Sequence, residues 1–357
     1  MKVTSASVDF PAAMAVVQDG GTLDADTSTR VFETIMTGAV SDSDLIAFLT
    51  AQAKRGPTVP EIVGAVRAMR AGMRPVSAPP DAIDLCGTGG DGHGTLNIST
   101  AVSFVVAGAS VSVAKHGNRS ATSKSGAADI LEALGVKIDL EPARASQVLA
   151  DTGIVFLFAQ VHHPAMHHVR AVRKAIPIRT IFNLLGPLAS PARVKHQLVG
   201  IYDRKWLQPY AEALKALGSH RALVAHGADG LDELTTTAVT YVSRLENGQI
   251  SFGEIAPEEA GLKRASLSDL KGGSAADNAV ALKRLFDGEK GAYRDIVLLN
   301  AGAALMVSGR AKDVKEGVAL AARSLDSGAA GAKLDALIVA SNRTAPSTAS
   351  VSEPAGH

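Results

Sequence analysis

The chain runs to 357 residues with a formal net charge of +1, which excludes a global basic field for holding nucleic acid or anionic lipid. Its single cysteine, Cys86, excludes an internal disulfide and fits a reducing compartment. At 46% hydrophobic but 4% aromatic, the core must be built from aliphatic side chains, in one large domain with a smaller one beside it.

The N-terminus lacks a charged-then-apolar signal pattern, so the expected location is cytoplasmic. Residues 1–77 read as an all-helical domain. Val31, Phe32, Ile35 and Met36 recur at helical spacing, and Gly38 stops the run. Ser41 and Asp44 form a capping-box pattern ahead of Leu45, Ile46 and Leu49, and Gly56-Pro57 ends that helix. Thr58 and Glu61 repeat the pattern before Ile62, Val63, Val66 and Met69. Pro75, Pro79 and Pro80 mark a linker.

Beyond the linker, short apolar runs alternate with helical stretches. Strands are predicted at 82–85, 111–114, 154–158, 198–202 and 222–225, and helices at 98–107, 127–134, 142–151 and 206–217. This alternation argues for an α/β domain over 80–164 and 194–340, built on a central, largely parallel sheet. The segment 165–193 is expected to leave the sheet and pack onto the helical domain. The stretch 101–114 is too short and too rich in Ser and Gly to span a bilayer, so no membrane partner is expected. Residues 341–357, rich in Ser, Thr, Pro and Ala, are expected to be disordered.

The predicted strand at 82–85 runs into Gly87-Thr88-Gly89-Gly90-Asp91-Gly92. Four glycines in six residues let successive N–H groups turn inward as an anion nest. A helix follows near Ile98, and its free N–H groups add a second anion site. Asn97, Ser99 and Thr100 supply side-chain donors there. The loop also fits G-x-G-x-x-G through Gly87, Gly89 and Gly92. A dinucleotide site needs the helix to start at the glycines and an acid after the next strand. Here His93 to Asn97 intervene, and Lys115-His116 stand where the acid belongs. No G-K-[ST] follows, so the P-loop reading fails as well.

A second polar loop runs from Lys115-His116-Gly117-Asn118-Arg119-Ser120 to Ser123-Lys124-Ser125-Gly126, ahead of a helix near Ala127. Its cations, hydroxyls and glycines suit a phosphate cradle. The bland reading of either loop is a solvated turn. Asp232-Glu233 follow the predicted strand at 222–225. Adjacent carboxylates suit Mg²⁺, which takes one or two acids plus substrate oxygens and waters. Alone, such a pair is more commonly a surface feature. His162, His163, His167 and His168 invite a zinc reading, but no acid accompanies them. No G-x-S-x-G nucleophile motif is present.

These segments together resemble the anthranilate phosphoribosyltransferase family. The resemblance rests on residues 87–92, Thr95, residues 97–100 and 115–119, then His163-Pro164, Ala171-Val172-Arg173, the run from Phe182 through Gly186-Pro187-Leu188, and Asp232-Glu233-Leu234. It covers most of the chain up to about residue 330, in the family's order and spacing. It implies a nucleoside phosphorylase/phosphoribosyltransferase-like fold and a homodimer formed through the helical domain. It also implies Mg²⁺ and two substrates, anthranilate and phosphoribosyl pyrophosphate (PRPP), in tryptophan biosynthesis. By position, Gly87, Gly90, Asp91, Thr95, Asn97, Ile98, Ser99, Thr100, Lys115, His116, Gly117, Asn118, Arg119, Ser123 and Ala127 would contact PRPP. Ser99, Asp232 and Glu233 would hold the metal. Gly87, Asn118 and Arg173 would contact anthranilate, with His116, His163 and Pro187 nearby. No acid or base is assigned; Asn118, Arg173 and Lys115 have positional roles. Met166 departs from an aromatic residue common in relatives, and Ser190 from an Asn. The rival readings are a pyrimidine nucleoside phosphorylase and a non-catalytic nucleic-acid-binding relative. The first fits Lys115-His116-Gly117-Asn118-Arg119 poorly. The second would show a strong basic balance and loss of the acid pair, and neither is seen.

Overall fold

The computed structural model describes residues 9–120 and 124–343. Four helices open the chain: α1 (Phe10–Gln18), α2 (Ala25–Met36), α3 (Asp42–Arg55) and α4 (Val59–Ala71). At each start a side-chain oxygen accepts a backbone N–H: Asp9 from Ala12, Asp24 from Thr27, Ser41 from Asp44, Thr58 from Glu61. Such a cap stabilises a helix by about 1 kcal/mol. The Thr58–Glu61 pair is reciprocal, with Thr58 N–H donating to Glu61 Oε2 at 2.8 Å. Glu61 is fully buried and also receives Arg55 at 2.6 Å and the Leu23 N–H at 3.2 Å. Losing Arg55 would leave that carboxylate stranded, at a cost of roughly 3–5 kcal/mol.

Seven strands form one sheet: β1 (Ile83–Leu85), β2 (Val113–Gly117), β3 (Ile154–Phe158), β4 (His196–Gly200), β5 (Arg221–Gly227), β6 (Thr240–Glu246) and β7 (Gln249–Ile255). Their order is β3-β2-β1-β4-β5-β6-β7. The pairs from β3 to β5 are parallel, and β6 and β7 are antiparallel additions at one edge. The intervening helices are α5 (Ile98–Gly108), α6 (Ala127–Ala133), α7 (Pro142–Thr152), α8 (Ala159–His162), α9 (Arg170–Ala175), α10 (Phe182–Leu188) and α11 (Leu207–Ala216). Four more close the described chain: α12 (Ala275–Phe286), α13 (Ala292–Val307), α14 (Val314–Asp326) and α15 (Ala329–Asn342).

Alternation along the strands divides the core in two. Leu198, Leu223 and Ala225 face α5 and α13. Val199, Ala222 and Val224 share the other core with Phe32, Ile62 and Tyr210, and with Val172 of α9 and Phe182 and Leu185 of α10. The Phe182 ring meets that of Phe32 edge-on at 5.9 Å. One sheet face is thus continuous with the core of the N-terminal helices. Among the described residues no helix is long and apolar enough to cross a membrane.

Three sequence expectations need correction. The second strand spans Val113–Gly117, so Lys115, His116 and Gly117 belong to β2 and not to a loop. Parallel pairing with Ile154–Phe158 extends the strand that far. The β6–β7 hairpin is missing from the sequence expectations, although Asn247-Gly248, with φ of 52° and 74°, is a strong hairpin signal. The tail does not loosen at 341. Helix α15 runs to Asn342, whose Nδ2 donates to Gly135 O at 2.8 Å, and Ser341 Oγ accepts the Lys137 N–H at 3.1 Å. Residues 344–357 lie outside the described residues.

Candidate active site

Strands β1, β2 and β3 step outward in one direction, and β4 then returns to the other side of β1. Open parallel sheets bind ligands at the carboxyl ends of strands where the order reverses in this way. The glycine loop leaves β1 at that point. Gly89, Gly90 and Gly92 have φ of 67°, 83° and 80°, a region that residues with a Cβ rarely adopt. Thr88 N–H donates to Gly200 O at 2.8 Å, and Thr88 Oγ1 accepts the Tyr202 N–H at 3.1 Å. The loop is therefore tied to the end of β4.

Asp232 reaches this loop from the segment after β5. Its Oδ2 accepts the Gly89 N–H at 2.6 Å. The approach is close: a Cβ on Gly200 would lie 1.4 Å from Asp232 O, and one on Gly87 2.9 Å from Asp232 Oδ2. Asp232 and Glu233 are both half-buried. Burial, then Asp91, then Glu233 raise the Asp232 carboxyl well above 3.8. Burial, with Asp91 adding to it, raises the Glu233 carboxyl, against the pull of Lys115 and the Ser99 N–H. Among the described residues no three His, Cys, Asp or Glu side chains are grouped to hold a metal by themselves.

Lys115 points from β2 beneath the end of β1. It is 4% exposed, and its Nζ donates to Leu85 O at 2.5 Å and Ser99 Oγ at 3.2 Å. His116, next along the strand, points the opposite way. Its Nδ1 lies 3.0 Å from Gly186 O, and its ring lies 5.2 Å from that of His163. Both imidazoles are buried, and neither Nε2 has a partner among the described residues. Pro187 accepts Gln197 Nε2 through its carbonyl at 2.7 Å. Beneath them the fully buried Asp84 accepts the His116 N–H at 2.9 Å, and burial raises its carboxyl to about 7. Ser190 lies beside Asp84, and its hydroxyl acts against the rise in that carboxyl. Met166 lines a small cavity with Met36, Met69 and His163.

Several expected ligands have their side chains occupied. The Asn97 amide receives Asn278 Nδ2 at 2.8 Å and donates to Ser125 O at 3.2 Å, so it clasps the two loops to α12. Ile98 is core, and its N–H donates to Leu96 O at 2.8 Å. Thr100 is 1% exposed and turned to an interior cavity with Phe104 and Leu131, leaving Ser99 as the hydroxyl at this helix start. The Thr95 backbone forms an isolated β-bridge to Lys271, and Asp91 Oδ1 accepts the His93 N–H at 3.0 Å. Arg119 is committed to Asp129 at 2.8 Å and Glu132 at 2.5 Å, which takes its guanidinium away from the expected phosphate. Asn118 is exposed, and its Oδ1 accepts the Arg119 N–H at 2.8 Å. Ala127 opens α6, where Asp129 Oδ2 accepts the Gly126 N–H at 2.8 Å. Ser123 lies outside the described residues. Arg173 is exposed on α9, with its guanidinium 5.4 Å over the Phe182 ring. Of the four histidines that invited a zinc reading, His167 has its Nδ1 2.7 Å from Pro164 O and its ring 3.7 Å from that of His168.

Two residues near the loop carried no sequence signal. Arg179 donates to Gly90 O and lies 3.9 Å over the Tyr202 ring. Asn278, buried on α12, anchors Asn97 from 181 residues away in the chain.

Comparison with known proteins agrees with this architecture. Residues 79–331 match the model of the glycosyl transferase family a/b domain, and residues 13–73 that of its helical bundle domain. The chain is 54% identical over 334 residues to the anthranilate phosphoribosyltransferase of Rhodopseudomonas palustris strain TIE-1, covering 94% of this chain and 99% of that protein. The Thermus thermophilus enzyme superimposes with a TM-score of 0.89 at 42% identity, covering 93% of this chain and 99% of that one. The Saccharomyces cerevisiae enzyme in complex with PRPP and Mg gives 0.86 at 26% identity, covering 93% and 97%. Fold and 54% identity over nearly the whole chain therefore agree, and the chain belongs to the anthranilate phosphoribosyltransferase family.

Proposed function

We propose that the protein transfers the phosphoribosyl group of PRPP to the amine of anthranilate, releasing pyrophosphate, as a step in tryptophan biosynthesis. The observation that carries this reading is the glycine loop at the sheet's reversal point, bound to Asp232 through the Gly89 N–H. Displacement at C1 of the ribose builds positive charge on the ring and negative charge on the leaving group. Groups that stabilise the leaving group matter more than a strong base. The loop N–H groups and Ser99 serve that task in this reading, with Lys115 supplying buried positive charge beside Ser99. Anthranilate's amine is a neutral nucleophile near pH 7, so no general base is required before the C–N bond forms. Arg173 presents a planar fork to the carboxylate of anthranilate, and Asn118 orients it. The neutral His116 and His163 imidazoles form one wall of the pocket, with Pro187 beside them.

The acid pair fits Mg²⁺. Two half-buried carboxylates with raised pKa, and no third ligand grouped with them among the described residues, are the donor set of an ion that also needs substrate oxygens. Ser99, Asp232 and Glu233 would hold it, and the ion would neutralise charge on the leaving pyrophosphate. We also propose a homodimer through the N-terminal helices, where Val16 and Ile46 are 44% and 37% exposed, and a cytoplasmic location. The deciding experiment is the fluorescence decay of anthranilate with PRPP and Mg²⁺. Steady fluorescence at high enzyme concentration would reject the activity, and a monomer by light scattering would reject the dimer.

A further inference from the structure

Arg179 sits on the short segment between α9 and α10, yet its side chain reaches the glycine loop. Nη2 donates to the Gly90 carbonyl, and the guanidinium lies 3.9 Å over the Tyr202 ring. Tyr202 is itself bound to that loop, since its N–H donates to Thr88 Oγ1 at 3.1 Å. The next residue, Thr180, donates its N–H to Asn183 Oδ1 at 2.9 Å and so anchors the segment to α10. Arg119 is held by two carboxylates, whereas Arg179 is held by a ring and a carbonyl. Its full charge therefore remains beside the loop.

A trans peptide is planar, with its C=O and N–H on opposite edges. Turning the Gly90 carbonyl toward Arg179 turns the Asp91 N–H the other way. Gly90, at φ 83°, is free to adopt either orientation of that peptide, so an external contact must choose between them. We propose that Arg179 is a positioning residue for the pyrophosphate end of PRPP. It fixes the Gly90–Asp91 peptide so that the Asp91 N–H faces phosphate oxygen, and it adds positive charge at that rim. Tyr202 is the platform that holds the guanidinium flat. This role rests on the glycine loop being the PRPP site.

The test compares wild type with Arg179→Ala, Arg179→Lys and Tyr202→Leu. Arg204→Ala serves as a control, because Arg204 stacks 3.5 Å over Tyr241 without contact to the loop. KM is measured for each substrate, and binding of pyrophosphate with Mg²⁺ is measured by calorimetry, which needs no turnover. Arg179→Ala should raise KM for PRPP about tenfold or more, the worth of a hydrogen bond from a charged donor. KM for anthranilate should stay within about twofold, and pyrophosphate binding should weaken in parallel. Arg179→Lys should recover part of the loss, since an ammonium donates to a carbonyl but does not lie flat on a ring. Tyr202→Leu should reproduce the defect, and combining it with Arg179→Ala should add little. Unchanged KM for PRPP, or an equal rise for both substrates, overturns the proposal. If Arg179→Ala does not fold, Arg179→Gln is judged by the same criteria. A wild type that binds pyrophosphate but consumes no anthranilate would reject the reaction and leave the binding measurement to decide Arg179.

Discussion

Acid should destabilise this protein through histidines buried as neutral rings. His163 is 5% exposed, and burial lowers its pKa from 6.5 to about 4, with His162 adding to the effect. The unfolded chain takes up this proton near pH 6.5, and the folded chain holds out until about pH 4. Between those values the unfolded state binds more protons, so stability falls as pH falls. For His163 alone the loss between pH 7 and 4.5 is about 2 kcal/mol, at 1.36 kcal/mol for each unit of pKa difference. His116, depressed well below 6.5 mainly by burial, acts in the same direction. The assay is urea unfolding by circular dichroism at both pH values for wild type and His163→Gln. Whatever the substitution costs at pH 7, the variant should lose about 2 kcal/mol less than wild type on acidification. An equal loss in both proteins would refute the buried neutral ring.

Other consequences concern the site directly. Arg173→Ala should raise KM for anthranilate about tenfold or more and leave KM for PRPP nearly unchanged; equal losses would reject the carboxylate clamp. Joint replacement Asp232→Asn and Glu233→Gln keeps shape and an acceptor for the Gly89 N–H, so the loop should persist while Mg²⁺ dependence or activity disappears. A normal Mg²⁺ response in that double variant would reject the metal assignment. Gly200→Ala places a Cβ against the Asp232 carbonyl, and neither backbone can yield without moving the loop. Overpacking of this kind costs about 1–3 kcal/mol, so a lower melting temperature and weaker PRPP binding are expected. Wild-type values for both would show that β4 and the acid segment are not in contact.

Local signals in the sequence located much of this architecture. Thr58 and Glu61 announced α4 because a capping box is a contact between near neighbours. The parallel strands were visible as apolar runs because both faces are covered. Residues 115–117 read as loop because Lys115 and His116 are polar and charged, and only pairing with β3 shows them as strand. The loop segments of the site were legible as glycine and polar clusters. Their internal bonding was not, because it joins residues far apart in the chain. Asn97 and Arg119 both read as ligands from sequence, yet Asn278 occupies the Asn97 amide, and Asp129 and Glu132 of α6 hold Arg119. Arg179 could not be singled out, since its meaning comes from Tyr202 and Gly90.

The contact between Asp232 and the Gly89 N–H has a consequence for how the pocket fills. A cluster of inward N–H groups is a mould for negative charge, and here the chain keeps a tenant of its own in it. Under the proposed function, a phosphate that enters this loop takes the place of the Asp232 carboxyl on the Gly89 N–H. The displaced carboxylate must be received by something positive, and the incoming phosphates only worsen its situation. A guest that arrives with its own divalent cation offers the evicted acid a new partner. A bare diphosphate does not, and the loop should admit it poorly.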